Sequence, residues 1–98
     1  MKKDIALAKL RPLEQRLRAQ GVSALYLFGS VARDEADERS DIDVLFETAP
    51  DSGFTLFRQA GLQADLADAL GAKVDFVSRG GLRPRVRQRI EPELVRVF

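Results

Sequence analysis

The sequence predicts a small α/β or α+β domain, in which helices flank a mixed sheet of three or four strands. The chain has only 98 residues, a length that suits one hydrophobic core. Apolar residues recur at helical spacing in two long segments, and three short segments have the apolar or alternating pattern of strands. These segments follow the order α-β-β-α-β-α without a linker or repeat, so we expect a single domain over residues 1–98.

The two long predicted helices cover residues 4–20 and 54–70. Each has an apolar stripe at a spacing of about 3.6 residues. The stripes consist of Ala6, Leu10, Leu13 and Leu17 in the first helix, and of Phe54, Phe57, Leu62, Leu66, Ala69 and Leu70 in the second. Pro12 predicts a kink or a restart inside the first helix. Gly21 and Gly71 are typical of helix ends.

The three predicted strands cover residues 22–28, 41–47 and 73–78. The first is almost entirely apolar, which is typical of a buried strand. The other two alternate, so their apolar and acidic residues are expected on opposite faces. A short basic helix is predicted over residues 82–90, and the segment 91–98 has no clear pattern.

The composition excludes several classes of site. The chain has no cysteine and no histidine, which excludes disulfides, zinc–thiolate sites, Ser-His-Asp catalysis and histidine metal sites. Any chemistry must use carboxylates, hydroxyls, Lys, Arg or a bound metal. No apolar run approaches the ~20 residues that span a bilayer, and no signal-peptide pattern opens the chain. We therefore expect a cytoplasmic protein with no membrane association.

Charge is distributed unevenly, although the net charge is only +1. Eight acidic residues lie within positions 34–51, and six arginines follow position 78. The basic segment 79–96 is either a solvated helix or a docking face. It lacks interleaved aromatic residues, so a nucleic-acid partner has little support. Apolar surface on the helices would allow the domain to pair with itself or with a partner protein.

Three features of the sequence combine into one candidate site. Gly29-Ser30 directly follows a buried strand, where a glycine permits close backbone approach to a ligand and where a hydroxyl and backbone N–H groups are able to hold phosphate. Asp41 and Asp43 are two residues apart on a predicted strand, so both carboxylates share a face. Asp75 occupies the acidic face of another strand.

Clustered carboxylates favour a bound cation. Two like charges repel by about 4 kcal/mol at about 4 Å and an effective dielectric of about 20, and a divalent ion would relieve that repulsion. Mg²⁺ prefers oxygen ligands and keeps positions open for phosphate oxygens. Taken singly, each feature also has a simpler interpretation: Gly-Ser as a turn, Asp41 as a turn acceptor, and Asp43 and Asp75 as solvated residues.

The segments Phe28-Gly29-Ser30-Val31-Ala32-Arg33 and Ser40-Asp41-Ile42-Asp43-Val44-Leu45, with ten residues between Ser30 and Asp41, carry a family resemblance. They resemble the G-S-x10-D-x-D signature of the DNA polymerase β-like nucleotidyltransferase superfamily. The version here is most similar to the minimal nucleotidyltransferase (MNT) antitoxins, and the resemblance covers nearly the whole chain. It implies the polymerase β-like palm fold.

The resemblance also implies a role for each site residue. Asp41 and Asp43 would ligate two Mg²⁺ ions, and Asp75 would ligate the ion nearer the acceptor hydroxyl and take part in its activation. Gly29 and Ser30 would hold the β- and γ-phosphates of ATP. Arg33 would contact phosphate or the acceptor, or would simply form an ion pair with one of the nearby acids.

By the same resemblance, the function is transfer of AMP from ATP to a tyrosine of a HEPN-family ribonuclease toxin. Two alternatives remain at this stage. One is an antitoxin that neutralises its toxin by binding alone, which the retained Asp41, Asp43 and Asp75 disfavour. The other is a small-molecule nucleotidyltransferase, for example one that modifies an aminoglycoside, which the lack of room for an acceptor domain disfavours.

Overall fold

In the computed structural model, which describes all of Met1–Phe98, four strands form one mixed sheet in the order β3-β2-β1-β4. The strands are β1 (Val22–Phe28), β2 (Ile42–Thr48), β3 (Val74–Ser78) and β4 (Val95–Arg96). β1 runs antiparallel to both β2 and β4, and β3 runs parallel to β2. The α+β fold with a mixed sheet is confirmed, and the unassigned C-terminal segment supplies the fourth strand.

The helices are α1 (Lys3–Leu10), α2 (Glu14–Ala19), α3 (Gly29–Ala32), α4 (Leu56–Leu70) and α5 (Pro84–Ile90). A 3₁₀ turn at Arg11–Leu13 separates α1 from α2, because Pro12 has no N–H for a regular helix. α4 begins after Thr55, whose hydroxyl accepts a hydrogen bond from the Arg58 N–H at 3.1 Å, and ends at left-handed Gly71. None of the helices has the length and apolar character that crossing a membrane requires.

The main core lies between one face of the sheet and the helices α1, α2 and α4. It is a cluster of 19 buried residues. Alternate residues of β2, namely Ile42, Val44 and Phe46, point into it, and the rings of Phe46 and Phe76 stack at 4.1 Å. Because side chains alternate along a strand, the residues between these point to the opposite side of the sheet, which is called the second face below.

The second face of the sheet is covered at one end by the C-terminal segment. Ala24, Leu45 and Ile90 are buried but lie outside the main cluster. Beside them, Arg79 donates hydrogen bonds to Glu47 and Glu91. The C-terminal segment is thus tied to the sheet at the Glu47 end, and the opposite end of the same face carries Asp43.

The predicted apolar stripe of α4 is wrong at Phe57 and at Ala69. Phe57 and Leu56 are 90% and 83% exposed, and Ala69 is also exposed. Phe54 precedes the helix and packs against the Phe46 ring at 5.2 Å. At about 100° per residue, Phe57 lies about 140° around the helix from Leu62 and about 180° from Leu66. A helix that buries these two leucines therefore turns Phe57 to solvent.

Candidate active site

Two aspartates of neighbouring strands lie side by side at the uncovered end of the second sheet face. In the parallel β2–β3 pair, Asp43 is in register with Asp75, one residue after the pair Ile42 and Val74. Both apolar partners are buried in the main core, so both carboxylates emerge on the opposite face. Asp43 is half-buried and Asp75 is exposed.

Asp41 stands just before β2 and belongs to the same acidic end. It is exposed, and its Oδ2 lies 4.0 Å from the Lys73 Nζ, a distance at the limit of an ion pair. The Ile42 N–H donates to the Lys73 carbonyl at 2.9 Å, which anchors the backbone between Asp41 and Asp43. Asp41, Asp43 and Asp75 are therefore neighbours at the starts of two adjacent strands. These three residues define the acidic end of the sheet face.

The electrostatics of this end centre on Asp43. Burial raises the pKa of Asp43, and the negative charges of Asp75 and Asp41 raise it further. Arg33 opposes the rise and the charge of Glu93 adds to it. The carboxylate of Asp43 is thus destabilised where it stands, first because it is partly removed from water and second because more negative than positive charge surrounds it.

Gly29 closes the other side of Asp43. β1 pairs with β2 so that Phe28 is opposite Asp43, and the chain then turns sharply at Gly29, which has φ +73°. A Cβ on Gly29 would overlap the Asp43 Oδ2 and lie 3.0 Å from the Asp43 Cγ. Glycine is required here twice, for its backbone conformation and for the space. Ser30 follows, half-buried, in the first turn of α3.

The Gly29 N–H is occupied by a carboxylate from the C-terminal segment. It donates to the Glu93 Oε1 at 3.1 Å, and the other oxygen, Oε2, accepts from the Arg33 Nη1 at 3.0 Å. Arg33 also donates from Nε to Glu35 at 3.2 Å. Of the two interpretations of Arg33, the structure shows the ion pair. One of its partners is Glu93, the carboxylate that also accepts from the Gly29 N–H.

The donor set suits a hard divalent cation, although it is not closed around one. No three or more acidic side chains are close enough together to hold a metal ion as they stand. The fit rests on chemistry and space: burial and the neighbouring carboxylates raise the pKa of Asp43, and the Gly29 turn is pressed against the same carboxylate. Mg²⁺ takes one or two carboxylates plus phosphate oxygens, which matches Asp43 and Asp75 with Asp41 beside them.

Glu93 is the one residue of this end that the sequence did not indicate. It is 64 residues from Gly29 along the chain, and no motif marks it. Its position follows from the pairing of β4 with β1, in which Val95 is opposite Leu27. Extending that register by two residues sets Glu93 opposite Gly29, so only a prediction of β4 and its partner could have found it.

Comparison with known proteins gives a consistent result. The family described as "Nucleotidyltransferase domain" matches residues 10–97. The chain is 33% identical over 96 residues to the protein adenylyltransferase MntA of Thermococcus cleftensis, covering 96% of this chain and 90% of that protein.

Solved structures agree with this result. A structure described as a minimal nucleotidyltransferase superposes with a TM-score of 0.83 at 36% identity, covering 97% of this chain and 95% of the other. The complex of a tri-AMPylated Shewanella oneidensis HEPN toxin with its MNT antitoxin contains a chain that matches with a TM-score of 0.70. That match has 21% identity and covers 95% of this chain and 71% of that one, so it supports the fold alone. The chain therefore belongs to the nucleotidyltransferase domain family, as an enzyme of the minimal nucleotidyltransferase group.

Proposed function

We propose that this nucleotidyltransferase is a Mg²⁺-dependent protein adenylyltransferase that transfers AMP from ATP to a tyrosine hydroxyl of a HEPN-family toxin partner. The observation that carries the proposal is the side-by-side register of Asp43 and Asp75, with the Gly29 turn packed against Asp43. The adenylyltransferase relative supports the reaction class, and the solved HEPN–MNT complex, through its shared fold, suggests the partner.

In this proposal, each residue of the acidic end has one task. Asp41 and Asp43 would hold two Mg²⁺ ions together, and Asp75 would hold the one nearer the acceptor. When bound, the ions supply positive charge that stabilises the phosphate oxygens during transfer. Gly29 and Ser30 hold the β- and γ-phosphates through backbone N–H groups and the hydroxyl, and Arg33 offers its guanidinium to the same phosphates.

The transfer itself balances as follows. The tyrosine oxygen forms a bond to the α-phosphorus of ATP, the bond from that phosphorus to the bridging oxygen breaks, and pyrophosphate leaves with the electron pair. Asp75, exposed at the edge of the site, accepts the tyrosine proton. The chain has no histidine, so a carboxylate is the base that the site offers.

The test is the intact mass of a HEPN-family toxin that forms a complex with this chain, after incubation with the purified enzyme, ATP and Mg²⁺. We expect a partner heavier by one or more AMP groups. Asp43→Asn should slow its appearance by about a hundredfold or more, because loss of a metal ligand removes several kcal/mol of transition-state stabilisation.

The matched control is Asp68→Asn, the same chemical change on the exposed side of α4, which should react at the wild-type rate. Unchanged labelling by Asp43→Asn would contradict the proposed mechanism. Neutralisation of the toxin in cells by Asp43→Asn, with no labelling by the wild type, would instead show that the chain acts by binding alone.

A further inference from the structure

The carboxylate of Glu93 occupies an anion position at the acidic end. Its two oxygens bridge two donors, the Gly29 N–H at 3.1 Å and the Arg33 Nη1 at 3.0 Å. A backbone N–H at a strand end and a guanidinium are also the two kinds of donor that bind phosphate oxygens. Both belong to the segment that the proposed function assigns to the triphosphate.

Glu93 is held there by the fold and not by local sequence. β4 lies antiparallel against β1, with Val95 opposite Leu27, and the 3₁₀ turn Glu91–Glu93 immediately precedes that short strand. Glu91 at the start of the turn is fixed to Arg79. The backbone on both sides of Glu93 is thus anchored, while its side chain remains 26% exposed.

The position of Glu93 is electrostatically poor. Its charge is one of those that raise the pKa of Asp43, so it adds a negative charge to an end that already has Asp41, Asp43 and Asp75. The only guanidinium facing it, Arg33, is shared with Glu35. A carboxylate in this place gains two hydrogen bonds and is repelled by the aspartates, which makes it displaceable by a ligand that brings cations with it.

We propose that Glu93 competes with the nucleotide triphosphate for Gly29 and Arg33, and that this residue thereby sets the affinity of the enzyme for its nucleotide. A Mg²⁺-bound triphosphate displaces Glu93, since it supplies phosphate oxygens to the same two donors together with the positive charge that the aspartates lack. This inference rests on the proposed function, because it assumes that the triphosphate binds at Gly29 and Arg33.

The experiment measures calorimetric affinity for α,β-methylene-ATP with Mg²⁺, an analogue that cannot donate AMP. Glu93→Gln keeps the side-chain shape and removes the charge, and we expect it to bind the analogue about tenfold more tightly, since it gives up a charge-assisted contact of ordinary strength. Glu93→Asp, too short to bridge both donors, should show a smaller gain in the same direction.

The matched control is Glu35→Gln, which removes the other carboxylate of Arg33 without touching Gly29. It should change the affinity by less than about twofold, because an exposed ion pair contributes little. The second measurement follows the Gly29 amide resonance, which should move when Glu93 becomes Gln and also when the analogue binds to the wild type.

The outcomes separate the two proposals. Wild-type binding of the analogue with no tightening in either Glu93 variant overturns this inference and leaves the proposed function standing. Weaker binding by Glu93→Gln also overturns it, because Glu93 would then assist the nucleotide. Absence of analogue binding in the wild type and every variant overturns both proposals. A stationary Gly29 resonance contradicts the competition independently of the affinities.

Discussion

The two ends of the second sheet face carry similar acidic residues but differ in the positive charge placed beside them. At one end, Glu47 of β2 and Glu91 share Arg79, and the Arg79 guanidinium lies 5.7 Å from the centre of the Tyr26 ring. At the other end, Asp43 of the same strand has Asp75 beside it. An arginine therefore neutralises the strand carboxylate at one end of the face. At the other end, Asp43 and Asp75 lie in register without an arginine or lysine of their own.

The largest effect is expected from Gly29→Ala, which fills the space beside Asp43. The new methyl group would overlap the Asp43 carboxylate, and the φ of +73° is strained for alanine. We expect a stability loss of about 2 kcal/mol and a transferase rate reduced by about a hundredfold or more. Urea unfolding and the intact-mass assay measure the two quantities.

Gly53→Ala is the control for backbone strain alone. Gly53 has a similar φ of +68°, and a Cβ there meets nothing within 4 Å. It should lose about 1 kcal/mol of stability and keep its transferase rate. Equal rates for the two variants would show that the close approach of Gly29 to Asp43 has no part in the reaction.

A smaller effect is expected at the neutralised end. Arg79→Leu would leave Glu47 and Glu91 without their shared cation, and we expect the free energy of unfolding to fall by about 1 kcal/mol. Arg83→Leu removes an exposed arginine that forms no ion pair, so it should change the stability by less than about 0.5 kcal/mol. If both variants unfold at the same urea concentration, Arg79 does not stabilise the Glu47 end, and the two ends do not differ in the way described here.

The sequence was sufficient to predict the strands and their faces, because alternation along β2 and β3 follows from burial on one side only. The same alternation predicted Asp41, Asp43 and Asp75 on the sheet face opposite the apolar residues. Their role as metal ligands stays a prediction. The exposed Phe57 was misassigned because it was counted into the apolar stripe, although it lies about 180° around the helix from the buried Leu66. Glu93 and β4 could not be predicted, since two residues of strand carry too little pattern and their partners are far away in the chain.

The smallest effect concerns Asp43 and pH. Because the folded protein raises the pKa of Asp43, ionisation of this carboxyl opposes folding, and the wild type loses stability as pH rises through the folded pKa. Asp43→Asn avoids that loss. In metal-free buffer, its melting temperature should therefore exceed the wild-type value by about 2 °C at pH 7.

The gain should vanish below the ordinary pKa of 3.8, where Asp43 is protonated in both the folded and the unfolded wild type. Asp68→Asn, on exposed α4, should show no gain at either pH. A destabilised Asp43→Asn protein at neutral pH would mean that the ionised carboxylate stabilises the fold, which contradicts the expectation that its charge opposes folding.

The most direct test of the central claim is a Mn²⁺ titration followed by the broadening of backbone amide resonances. If Asp41, Asp43 and Asp75 form the metal site, the residues that broaden first should be these three and Gly29, while Glu47 and Arg79 at the other end of the same face stay sharp. Broadening that spreads evenly over the acidic loop 34–38, or that appears equally at Glu47, would contradict the claim.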